Sequence, residues 1–194
     1  MTEDDPIATL VAWCDEARER GVIEPTAMTI ATATRDGVPS ARVVLFRGLT
    51  KDRALRFFTN YESRKGRELE ENPRASAVFY WRELARQVRV EGRVSRLPSG
   101  ESDDYFAQRP RLSQLSAWAS PQSEGIGSMD ELFARRDARE AEFAGGVVPR
   151  PPFWGGYALS PERVELWING EARFHDRRLF ERTADGWKRS RLAP

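Results

Sequence analysis

The chain has 194 residues, enough for one well-buried core and few for two, so a single domain spanning 1–194 is expected. Lys and Arg number 31 against 30 Asp and Glu, and the resulting net charge of +1 argues against a nucleic-acid tail and makes any anion recognition local. No apolar run approaches the roughly 20 residues that span a bilayer, and "MTEDDP" lacks the cationic start of a secretory signal, so neither a membrane nor a nucleic-acid partner is expected and the expected location is cytoplasmic.

In chain order, "DPIATLVAWCDEARERG" places Asp5 before Pro6, with apolar residues at helical spacing and Gly21 after the end, and predicts an amphipathic helix over 6–20. Cys14 falls on its apolar face with Ile7, Leu10 and Val11, which reads as a core thiol; as the lone cysteine it excludes an internal disulfide and a cysteine metal site. Strands follow in "AMTIATAT" and "ARVVLFRG", joined by a turn with Asp36-Gly37, then in "ALRFFTN". "SRKGRELEENP" predicts a short helix capped by Ser63 and closed by Asn72-Pro73. "ASAVFYW" and "RQVRVEGRVSRL" are further strands, and in the second Val88, Val90 and Val94 alternate with Gln87, Arg89, Glu91 and Arg93.

From residue 98 the pattern turns helical, through "SGESDDYFAQ" and "RPRLSQLSAWAS" to "SMDELFARRDAREAEF", where Ser128 and Glu131 stand at capping-box spacing. After the Pro-rich "GGVVPRPPFWGG" come the strand candidates "RVELWIN" and "ARFHDRRLFERT", and Asp185-Gly186 turns the chain into "WKRSRL". Six or seven mostly hairpin-linked strands with interspersed helices predict an antiparallel, Greek-key-like barrel decorated by helices.

Three clusters concentrate anion-binding groups. Arg64 and Lys65 occupy a helix first turn, where the free N–H groups and the dipole favour anions rather than cations. Together with Arg42 and Arg47, placed on the second strand, and with Thr59 and Ser63, they read as a phosphate cradle, the alternative being a solvated cationic surface. Tyr105, Arg109, Arg111, Ser113, Gln114, Gln122 and Ser123 lie among helices and loops, free to converge on a small molecule or to serve as caps and hydrated surface. In "WINGEARFHDRR", a strand over 172–180 would put Arg173, His175 and Arg177 on one face, bracketing the only histidine with two guanidiniums and favouring a neutral ring; a structural histidine is the alternative. No Walker or dinucleotide fingerprint occurs, and no metal is expected, because a zinc site or a Ser-His or Cys-His machine would have to rest on His175 alone. Several anion sites, many aromatics and little acid-base equipment suit a protein whose cofactor performs the chemistry.

"ARVVLFRG", "FFTNYESRKGRELEENPRASAVFYW", "RQVRVEGRVSRL", "YFAQRPRLSQLSAW", "PQS", "PRPPFWGGY", "ELWINGEARFHDR" and the terminal "RLAP" closely resemble the pyridoxine/pyridoxamine 5′-phosphate oxidase family, from about residue 5 to the end. The resemblance implies an FMN-binding split β-barrel, a homodimer with FMN at the subunit interface, and oxidation of a small phosphorylated substrate to pyridoxal 5′-phosphate with release of hydrogen peroxide. It assigns Arg42, Val43, Leu45, Phe58, Thr59, Arg64, Lys65, Gln87, Gln122, Ser123, Trp167 and Arg177 to FMN. Arg47, Tyr105, Arg109 and Ser113 would grip the substrate phosphate, and Arg173 and His175 would lie over the substrate ring as the catalytic pair. Three departures bear on the substrate: a shorter N-terminal segment, Arg47 in place of a lysine, and Leu112 and Ser116 in "RPRLSQLSAW". They keep two other readings open, a related FMN oxidase of the phenazine-biosynthesis type acting on a reduced aromatic acid, and a non-catalytic binder of flavin or pyridoxal phosphate.

Overall fold

The computed structural model describes residues 5–194, so the acidic start read against a secretory signal lies largely outside them. Helix α1 (Pro6–Glu19) begins where Asp5 accepts the backbone N–H groups of Ile7 and Ala8, as the Asp-Pro pair predicts. Ile7, Leu10, Cys14 and Ala17 recur at helical spacing and bury that face in the main core, together with Phe57, Phe79, Val88 and Val90.

The sheet is antiparallel throughout. Strands β1 (Ala27–Ala33) and β2 (Pro39–Leu45) form the predicted hairpin, and β1 also pairs with β4 (Arg74–Trp81). β4 pairs with β5 (Arg86–Arg96), and β5 pairs with the 15-residue β6 (Trp154–Ile168). On its other edge, β6 takes β3 (Leu55–Asn60) along its first half and β7 (Asp176–Thr183) along its second, so the sheet divides near Ser160 to Glu162. Beyond β2 the chain returns to β3: Arg47 N–H donates to Arg56 C=O, Arg56 N–H donates to Gly48 C=O, and Leu49 bridges Leu55. Those contacts close a ring of six strands, from which β7 and β8 (Gly186–Leu192) extend as a hairpin. At the dividing point the β5–β6 register shifts after Glu91, and Gly92 lies so close to Ser160 that a Cβ would fall 1.9 Å from its carbonyl oxygen.

Four further helices decorate the barrel: α2 (Arg64–Glu71), which packs on β1, α3 (Ser99–Ala107), which packs on β6, and α4 (Arg111–Ala119) and α5 (Met129–Glu142), which pack on each other. A second core of Phe106, Leu115, Val148 and Trp154 joins α3 and α4 to the start of β6.

Four expectations need correction. Eight strands occur among the described residues, not six or seven. β6 starts at Trp154, nine residues before "RVELWIN", because its first six residues are buried throughout and carry no alternation. β7 starts at Asp176, not 172: Glu171–Arg173 is a single 3-10 turn in which Ala172 and Arg173 take the left-handed backbone (φ 48° and 69°). The alternation proposed for Arg173 and His175 therefore does not exist. Finally, Arg47 lies past the end of β2, in the segment that closes the ring.

Candidate active site

An open cleft of about 650 Å³ runs along β2 and β3 to the start of α2. Arg42, Val43, Leu45 and Arg47 line one wall; Phe58, Thr59, Arg64 and Lys65 line a second; Tyr105, Arg109, Gln122, Ser123 and Trp154 complete it. Twelve residues singled out from the sequence thus converge on one space, although they come from five separate stretches of chain.

The helix with cations in its first turn forms as predicted, with Ser63 Oγ accepting Gly66 N–H. Lys65 is only 7 % exposed. Its Nζ donates to Thr59 Oγ1 at 2.9 Å, Ser63 Oγ at 3.1 Å and Gln122 Oε1 at 2.9 Å, all neutral acceptors. Burial, then the charge of Arg42, pushes its pKa down to about 8, against the pull of Glu68. Arg42 donates to Thr32 and Ser40, and Arg64 Nε donates to Glu68 Oε1 at 2.9 Å. Glu68 is buried, and burial raises its pKa; hydrogen bonds from Ser40, Thr32 and Arg64 and the charge of Arg42 outweigh that effect and hold it at about 2. Arg42 and Arg64 pair with the one carboxylate and Lys65 stands beside them, so three cations and one anion leave two positive charges to match a phosphate dianion.

A second cationic group lies among aromatics. Phe58 and Tyr105 stack with centroids 3.8 Å apart, and Trp154 lies parallel to Tyr105 within 3°. The Arg109 guanidinium sits 4.6 Å from the Trp154 centroid, and its buried Nη1 has no hydrogen-bond partner among the described residues. Burial lowers the Arg109 pKa, Tyr105 opposing the shift and Arg47 adding to it. A buried donor without an acceptor costs about 1–3 kcal/mol, which an anionic ligand here would recover. Ser113, in the first turn of α4, does not line the cleft.

The remaining candidates gather elsewhere. Gln87, Trp167 and Arg177 are successive cross-strand partners on β5, β6 and β7, and the His175 ring lies 4.6 Å from that of Trp167. Arg177 is held by Glu165 at 2.7 Å and by the Ala193 carbonyl at 2.8 Å, tying the C-terminal "RLAP" to this patch. His175 Nδ1 accepts Gly170 N–H at 3.2 Å, which leaves Nε2 to carry the ring N–H. None of Gln87, Trp167, Arg173, His175 and Arg177 lines the cleft. The candidates fall into two groups, a cleft and a C-terminal patch.

Sequence reasoning missed Glu68, Ser40 and Trp154. Glu68 stands four residues after Arg64, a helical ion-pair spacing that marks it in retrospect. Trp154 was hidden in a stretch read as a Pro-rich connection.

A closed antiparallel ring with a basic cleft at a helix start defines a barrel protein with a site for an anionic ligand. A family model described as "Pyridoxamine 5'-phosphate oxidase" matches residues 14–142, and a second, "Pyridoxine 5'-phosphate oxidase C-terminal dimerisation region", matches residues 154–194. The chain is 54 % identical to a pyridoxine/pyridoxamine 5′-phosphate oxidase of Rubrobacter xylanophilus, covering 99 % of this chain and 88 % of that one. It is 50 % identical to the corresponding protein of Salinibacter ruber, covering 98 % and 90 %. Among solved structures it superimposes on PhzG of Burkholderia lata, in complex with tetrahydrophenazine-1-carboxylic acid, with a TM-score of 0.92 at 36 % identity, covering 100 % and 94 % of the two chains. The chain belongs to the pyridoxamine 5′-phosphate oxidase family and is an FMN-dependent oxidase whose C-terminal segment is a dimerisation region.

Proposed function

We propose that the protein is a cytoplasmic oxidase of vitamin B6 phosphates, converting pyridoxine or pyridoxamine 5′-phosphate to pyridoxal 5′-phosphate with dioxygen as electron acceptor and hydrogen peroxide as product. The observation that carries this reading is the pair of phosphate-sized cation groups in one cleft, Arg42, Arg64 and Lys65 in the first and Arg47 and Arg109 in the second. Two phosphorylated ligands, cofactor and substrate, account for both.

The cradle residues fit the FMN phosphate in charge and in donors, and Val43, Leu45, Phe58, Thr59, Gln122 and Ser123 border the rest of the space a flavin would take. Bound there, FMN would supply the acceptor for a hydride from the substrate carbon and the route of the two electrons to dioxygen. Arg47, Tyr105 and Arg109 hold the substrate phosphate and so fix the ring over that acceptor; such orientation is worth several kcal/mol of barrier. Ser113, which does not line the cleft, takes no part in this grip.

In the homodimer, the patch of Gln87, Trp167, Arg173, His175 and Arg177 from one protomer completes the cleft of the other. This accounts for why residues of one expected site form two groups in a single chain. The His175 Nε2–H donates to the substrate heteroatom, and the Arg173 guanidinium stabilises negative charge there as the C–H bond breaks. For the amine substrate, the oxidised imine then adds water and releases ammonia.

The likeness to PhzG supports a second reading, a reduced aromatic acid as substrate. Anaerobic mixing of the FMN-loaded protein with each B6 phosphate decides between the two: bleaching of the flavin is expected. Bleaching by dihydroaromatic acids alone would move the assignment to the second reading, and bleaching by neither would leave a binding protein.

A further inference from the structure

We propose that Glu68 is the positioning residue of the phosphate cradle, a buried carboxylate that anchors Arg42 and Arg64 so that their unused N–H donors serve a single phosphate group. The inference rests on the assignment of the cradle to FMN.

Glu68 lies in the middle of α2, with a side chain only 4 % exposed. Thr32 and Ser40, from the two strands of the first hairpin, both donate to its Oε2. The same two hydroxyls accept from Arg42, whose Nη2 stands 3.5 Å from Oε2. Carboxylate, hydroxyls and guanidinium thus form one closed network, which ties the helix to the edge of the barrel. On the other oxygen, Oε1 takes Arg64 Nε.

The consequence lies in what is left free. The Nη1 and Nη2 of Arg42 are engaged within the protein, while its Nε makes no hydrogen bond among the described residues. Arg64 gives only its Nε to Glu68, and neither of its Nη groups meets an acceptor among the described residues; both arginines line the cleft. A flexible arginine loses rotamer entropy when it meets a phosphate, and anchoring by Glu68 removes that cost before the ligand arrives. Charge alone argues in the opposite direction. A negative group beside a phosphate repels it, so by Coulomb's law removing Glu68 should tighten binding, whereas positioning requires that removal weaken it. The two accounts differ in sign.

The test compares FMN with riboflavin, which has the same ring system and no phosphate, by titrating flavin-free full-length protein and following flavin fluorescence. Glu68→Ala is expected to weaken FMN about tenfold and leave riboflavin unchanged. Arg64→Lys, which keeps the charge but lacks the Nε that Glu68 holds, is expected to weaken FMN in the parent and to add nothing in the Glu68→Ala background. Unchanged or tighter FMN binding in Glu68→Ala, or an equal loss for FMN and riboflavin, would overturn the inference. Should Glu68→Ala fail to fold, Arg64→Lys alone decides, because its side chain is half exposed; an unchanged FMN affinity would then overturn it. If the parent protein binds riboflavin as tightly as FMN, it is the cradle assignment that fails.

Discussion

Lys65→Met separates the two things the lysine does. Folding buries an ammonium among neutral oxygens and beside Arg42, and the fall of its pKa from 10.5 to about 8 corresponds to a cost of about 3 kcal/mol at neutral pH. Methionine has nearly the same length and no charge, so it relieves that cost while forfeiting hydrogen bonds to Thr59, Ser63 and Gln122. Ser63 Oγ still donates to Asn60 C=O and Thr59 Oγ1 to Gln122, so most of that network survives. A net gain of about 1–2 kcal/mol follows, which raises the melting temperature of the flavin-free protein by roughly 2–8 °C for a chain of this size. The same change removes a charged donor to the phosphate, worth about 1.5–3 kcal/mol, and weakens FMN roughly 10- to 150-fold. Calorimetry of flavin-free protein and an FMN titration read the two effects separately. A variant that melts lower and binds FMN as before would show Lys65 to be a structural residue and refute the reasoning.

Lys65 also sets a pH dependence. Its folded pKa lies below the unfolded value, so its penalty is complete below about pH 8 and is lifted between about 8 and 10.5. The stability contribution of this group in flavin-free protein should therefore rise across that window, while FMN affinity falls because the neutral amine must regain a proton to meet the phosphate; affinity that is flat with pH in wild type and Lys65→Met alike would contradict this. Arg109→Met should lower kcat/KM for a phosphorylated substrate by roughly 10- to 150-fold while FMN affinity stays constant, since the buried Nη1 has no acceptor among the described residues; a matching loss of FMN would contradict that division. Cys14 is 3 % exposed and burial pushes its thiol up to about 12, so thiol reagents should label it only at the rate of unfolding, and rapid labelling of folded protein would exclude the buried site.

The sequence was most legible where local chemistry and tertiary structure agree. Asp5 before Pro6, Ser63 before its helix and the valines of β5 all announce themselves through caps and periods. The first half of β6 did not, because Gly155 and Gly156 lie where a Cβ would meet Tyr61 and Phe58, and a strand buried on both faces has no alternation to read. The turn before β7 was equally hidden: a left-handed Arg173 runs against residue preference, and such backbone occurs where the surroundings over-determine it, often at functional sites. Most residues of the cleft were legible as types. Their division into two groups was not, since it depends on β3 and β7 taking successive halves of one edge of β6.

Mixed dimers give the most direct test of the central claim, that each active site joins the cleft of one protomer to the C-terminal patch of its partner. Arg109→Met and Arg173→Ala homodimers should both be nearly inactive, one damaged in the cleft and the other in the patch. Co-refolding the two variants places an undamaged cleft opposite an undamaged patch in every mixed dimer, and activity toward pyridoxamine 5′-phosphate should return. Mixed dimers that form and stay as inactive as their parents would show that each site is built within a single chain, contrary to the account.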